Sequence, residues 1–127
     1  MADIRVSIVW IPMLVDDSEA AARRSAQLLA EPRVRQFYDA RQEVGRVVAD
    51  SLGAAGEIAW DTYLFYRPGS IWNVDPPAPD TWMHQLSAKW APPSHLRRGD
   101  ALPQALHAVT EQGRTGAPPA SGEDPAF

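Results

Sequence analysis

A chain of 127 residues, 45% hydrophobic and 22% charged, has the composition of a folded domain and a length that suits one core rather than two. Its formal net charge of −4 supplies no global basic field for phosphate backbones, which argues against nonspecific nucleic-acid binding. Cysteine is absent, which removes disulfide staples, iron–sulfur clusters, thiolate zinc sites and thiol–disulfide exchange.

Met1-Ala2-Asp3-Ile4-Arg5 lacks the pattern of a secretory signal. The apolar run at 6–15, broken by Ser7 and Pro12, is well short of the roughly 20 residues a membrane span requires, so a cytoplasmic protein without a span is expected. Ile4, Val6, Ile8 and Trp10 fall on one face of an extended segment while Val9 and Ile11 weight the other, which predicts a central strand covered on both sides. Pro12 ends it. Asp16-Asp17-Ser18 then supplies capping oxygens for a helix over 19–30, whose Ala21, Ala22, Ser25 and Ala26 form a stripe of small residues suited to close packing on a sheet.

Residues 34–38 read as a short strand, with a helical turn as rival. Asp39 and Gln42 have capping-box spacing, and Val44, Val47, Val48 and Leu52 recur at helical intervals until Gly53 supplies a left-handed stop. Aromatic and β-branched residues over 58–66, the turn Arg67-Pro68-Gly69-Ser70 and the apolar pair Ile71-Trp72 predict a hairpin whose second arm lies near a sheet edge. After the Pro-rich 75–79, Asp80 is expected to cap a short helix carrying Trp82, Met83 and Leu86. The folded body is expected over 1–91, followed by a Pro/Gly-rich extension over 92–127 with a short helix at 102–112 and a disordered end.

The order strand, helix, strand, helix, hairpin, helix resembles the thioredoxin-like fold, a βαβ–ββα sandwich with a central mixed sheet flanked by helices. Trp60-Asp61-Thr62-Tyr63-Leu64-Phe65-Tyr66-Arg67-Pro68-Gly69 is similar to the thioredoxin strand that opens with a proline-threonine pair and turns at a glycine. Trp10-Ile11-Pro12-Met13-Leu14, Val34-Arg35-Gln36-Phe37-Tyr38-Asp39 and Trp82-Met83-His84-Gln85-Leu86 are pieces shared with an uncharacterised group of bacterial thioredoxin-like proteins. The resemblance implies a fold and supplies no mechanism. It also places the family's cysteines around 12–17, where this chain has none, and its cis-proline where this chain has Asp61.

Under that layout, Pro12, Met13, Asp16 and Asp17 approach Trp60, Asp61 and His84 and form a candidate cleft. A carboxylate inside an apolar strand needs a partner or a shifted pKa, so Asp61 is either a ligand-binding or acid–base group or a structural acceptor of backbone hydrogen bonds. Met13, Met83 and His84 could offer soft donors to copper(I), but methionine beside tryptophan is more often core filler and a lone histidine more often a hydrogen-bonding imidazole. Ile71, Trp72 and Trp90 form the candidate partner surface, since tryptophans left partly exposed favour interfaces, with burial of Trp72 and Trp90 by the C-terminal tail as an equal rival. No Gly-rich phosphate loop or hydrolase nucleophile setting is present, and no cofactor is implied. The leading expectation is a redox-inactive module that binds a protein partner or its own copy; the alternative is a small-molecule or metal-binding protein or a non-thiol enzyme working at Asp61 and His84.

Overall fold

A computed structural model describes residues 4–115. Its elements are β1 (Val6–Trp10), α1 (Glu19–Leu28), β2 (Val34–Tyr38), α2 (Glu43–Ser51), β3 (Thr62–Phe65), β4 (Thr81–His84), a single 3-10 turn (Pro93–His95) and α3 (Ala101–Thr115). The chain is mixed α/β, but its strands form two sheets of two: β1 and β2 run parallel, β3 and β4 antiparallel. Among the described residues no ladder joins β1 to β3. The strand whose two apolar faces predict a central position therefore lies at an edge, and the expected single mixed sheet is divided.

The first half is tied together by one amide. Gln36 on β2 donates from Nε2 to the Ala26 carbonyl of α1 at 3.0 Å and accepts from Trp10 Nε1 of β1 at 2.9 Å, so helix and both strands share it. Ser18 caps α1, its hydroxyl accepting from the Ala21 N–H at 3.0 Å, and the helix ends at Leu28 rather than Ala30. Asp39 begins α2 by a different route from a capping box: Oδ1 accepts from Glu43 N–H at 2.8 Å and Oδ2 from Gly45 N–H at 3.1 Å. Gln42 sits in the left-handed region (φ 61°) and sends its amide to the Pro12 carbonyl at 2.7 Å. Gly53, at φ 85°, ends α2 as its position predicts.

Val48, Ala49 and Ala59 are the buried centre against which Val44, Leu52, Leu64 and Trp90 pack. Close approach at this centre depends on Gly45, whose carbonyl accepts from Ala59 N–H at 2.9 Å. A Cβ there would lie 2.6 Å from Ile11 Cδ1 and 2.7 Å from Ile58 Cγ2. α2 thus links the end of β1 to the segment entering β3.

The second half differs most from expectation. β3 pairs with β4, not with Ile71-Trp72, in the register Thr62↔His84 to Phe65↔Thr81. The segment read as a helix from Asp80 is a strand because Trp82 and His84 alternate with Met83 across the pleat, and Met83 and His84 are both buried. The chain then returns along β4's far edge: Arg97 N–H donates to the His84 carbonyl at 2.9 Å, and His95 stacks on Trp82 with ring centroids 4.2 Å apart. α3 spans the segment where a helix over 102–112 is expected; the disordered end expected beyond it falls, past Thr115, outside the described residues. Among the described residues no helix is long and apolar enough to cross a membrane.

Candidate binding surface

The residues predicted to form a cleft are distributed over several environments. Pro12 and Asp17, with Trp10, Ala22 and Tyr38, line an open hollow of about 120 Å³ at the C-terminal end of the parallel strands. The Asp17 carboxylate is already used within its own loop, where Oδ2 accepts from Met13 N–H at 2.8 Å and Leu14 N–H at 2.7 Å. These bonds, Leu14's first, hold its pKa below the ordinary aspartate value because they favour the charged form. Met13 meets the Gln42 amide through its sulfur at 3.3 Å, and Asp16 is exposed.

Trp60 is half-buried, its carbonyl accepting from the Thr62 hydroxyl at 2.8 Å. Asp61 precedes β3 in the left-handed region (φ 49°) with its side chain exposed, so water can solvate the carboxylate that an interior strand position would have left in need of a partner. Its carbonyl accepts from Gln85 N–H at 3.1 Å, while no hydrogen bond or ion pair joins it to His84. Desolvation, and secondarily the Asp61 charge, raise the pKa of Tyr63.

His84 is 1% exposed, the most deeply buried large side chain described. Its Nδ1 accepts from Leu86 N–H at 2.9 Å, which requires the proton on Nε2, and Nε2 donates to the Pro92 carbonyl at 2.8 Å. Both ring nitrogens are therefore committed to the chain's own backbone, and neither offers a lone pair to copper or a proton to a substrate. Among the described residues no group of three or more His, Cys, Asp or Glu side chains is placed to hold a metal ion.

The connection from β3 to β4 presents a different kind of surface. Ile71 is 70% exposed, Trp72 43% and Val74 87%, three apolar side chains within four loop residues, with Asn73 among them. Solvent-facing aromatic and branched aliphatic side chains grouped in this way are a feature of interaction sites. Asp80 fixes the neck of the loop: its Oδ2 accepts from Arg67 N–H at 2.6 Å, and Oδ1 lies 3.2 Å from Arg67 Nε, within ion-pair range though off hydrogen-bond alignment. Ser70 closes a turn beside it by donating to the Arg67 carbonyl at 2.8 Å. Burial, and then the neighbouring Asp80 charge, push the Tyr66 phenol above its usual range.

Of the predicted partner surface, Ile71 and Trp72 share this loop. Trp90 does not, since it is half-buried against the Val48–Ala49–Ala59 centre. Val74 and the Asp80 clamp were missed by sequence reasoning. Val74 stands next to a Pro-rich stretch that excludes it from a strand, a signal that was available; Asp80 before Thr81-Trp82-Met83 looks like a helix cap, and only the pairing of β4 reveals its other use. Set against protein-family models, curated proteins and solved structures, the chain matches none.

Proposed function

We propose that this chain is a redox-inactive α/β domain, thioredoxin-like in the order of its elements though not in a continuous sheet, that acts by binding another protein, and that residues 71–74 are its contact element. The observation that carries this reading is the exposure of Ile71, Trp72 and Val74 on a loop held at its neck by Asp80 and Arg67. Restricting the neck lowers the entropy cost of seating the tip in a partner, and Trp72 supplies the large amphipathic anchor that interfaces favour. The elements run β–α–β–α–β–β–α along the chain, the order on which that comparison rests, and the absence of cysteine excludes thiol–disulfide exchange.

The test is a comparison of the natural chain with Trp72→Ala and Val74→Ser in affinity capture, followed by titration of each captured protein in purified form. A partner whose affinity falls at least about thirtyfold with Trp72→Ala, at unchanged circular dichroism, supports the proposal, since anchors of this kind contribute roughly 2 kcal/mol or more. Partners bound equally by both chains remove the loop from the interface.

A further inference from the structure

We infer that the outer edge of β1 is a strand-pairing site for a second copy of this chain, joined antiparallel across a two-fold axis at Val9. The direction of the backbone groups follows from the β1–β2 ladder. Val6 N–H donates to the Arg33 carbonyl and Asp39 N–H to the Trp10 carbonyl, so Val6, Ile8 and Trp10 direct their polar groups toward β2. Those of Ser7, Val9 and Ile11 point the other way, where no ladder is present among the described residues. β4 differs: at its far edge the Trp82 carbonyl faces His95 Nδ1 at 2.8 Å and the His84 carbonyl accepts from Arg97 N–H.

An edge without lysine, proline or bulge within it lacks the devices that usually prevent pairing, and β1 has none of them between Val6 and Trp10. One further feature selects a second copy in antiparallel sense. Phe37 lies opposite Val9 in the register and is 49% exposed, so a two-fold at Val9 would complete an apolar row, Phe37–Val9–Val9–Phe37, across four strands. Such an interface is isologous and closes as a dimer. It lies on a different element from the 71–74 loop, so either surface can fail while the other stands.

Sedimentation of the full chain over a wide concentration range tests the pairing, and the absence of native cysteine makes introduced thiols unique reporters. A reversible dimer is expected. Val9→Cys should cross-link to itself under mild oxidation, because paired strands bring facing Cα atoms to roughly 5.5 Å, within disulfide reach. Ser7→Cys should not, because antiparallel register separates the two Ser7 positions by roughly 13 Å. Val9→Pro removes an N–H that β2 does not use and should weaken the dimer about tenfold or more; Ser7→Lys, at an exposed position, should do the same if the proline variant does not fold. Trp72→Ala should leave the dimer intact. A monomer at all concentrations, equal cross-linking at positions 7 and 9, or a dimer indifferent to a folded edge variant would overturn the inference.

Discussion

Gly45→Ala sets helix propensity against packing at one atom. By propensity alone the change stabilises α2 by about 1 kcal/mol, since glycine in a helix interior carries an entropy cost that alanine does not. The added Cβ, however, meets Ile11 Cδ1 at 2.6 Å, Ile58 Cγ2 at 2.7 Å and the Ala59 carbonyl oxygen at 3.0 Å. The Ile11 methyl ends a flexible side chain and can swing aside. Ile58 Cγ2 is a β-branch fixed near its backbone, and Ala59 is held to this turn by its own hydrogen bond to Gly45, 2.9 Å long. Overpacking with so little freedom costs roughly 2–3 kcal/mol, so packing wins and a net destabilisation of about 1–2 kcal/mol is expected. Urea denaturation should show a lower midpoint at an unchanged slope. Ile11→Val costs about 0.5–1.5 kcal/mol alone but removes one of the colliding methyls, so the double variant should lose less than the two singles together by about 0.5 kcal/mol. A Gly45→Ala protein as stable as the natural chain, or more so, would refute the packing argument.

Asp80→Ala removes the acceptor of the Arg67 N–H and should cost about 1–2 kcal/mol, with amide hydrogen exchange accelerating through 67–80 more than in β1 and β2. His84→Ala leaves the Leu86 N–H and the Pro92 carbonyl without partners in a buried setting and should cost at least about 2 kcal/mol; in the natural chain, nitrogen NMR should find the ring proton on Nε2, and a proton on Nδ1 instead would contradict the assignment. Asp17 has a lowered pKa in the folded state, so its contribution is present above the unfolded value and is lost as pH falls through the folded one. Carbon NMR should show it titrating below an ordinary aspartate, with the Met13 and Leu14 amide signals moving in step. Tyr66 has a raised pKa, so its contribution is present below the unfolded value and is lost as pH rises through the folded one. Ultraviolet titration should place its ionisation above that of a free phenol, and a tyrosine titrating normally at this position would count against its burial beside Asp80.

Where local chemistry decides structure, the sequence was readable: Ser18 before an alanine-rich run and Gly53 after a valine stripe have their reasons within a few residues, whereas 34–38, for which a helical turn is a rival, becomes a strand through its pairing with β1. The β3–β4 half depends on partners distant along the chain. Trp82, Met83 and Leu86 have a spacing compatible with a helix turn, and only the pairing of residues 81–84 with 62–65 makes alternation the governing pattern. His84 looked like a potential ligand because its two partners, the Pro92 carbonyl and the Leu86 N–H, are backbone groups that no side-chain motif announces. Asp61 looked buried because its neighbours are apolar, whereas its left-handed backbone places it before the strand rather than in it. Of the candidate surface, Ile71 and Trp72 were legible as exposed aromatic and aliphatic residues beside prolines; the removal of Trp90 to the core is a tertiary fact.

The clasp between Arg67 and Asp80, 13 positions apart, also separates the fate of the loop tip from that of the sheets it connects. With the entrance and exit held together, lengthening the tip adds only the entropy of a larger closed ring, about 0.6 kcal/mol per doubling. Peptides grafted between Asn73 and Val74 should therefore be carried at the surface while the strands beneath keep their register, making this connection a natural place to display foreign sequence.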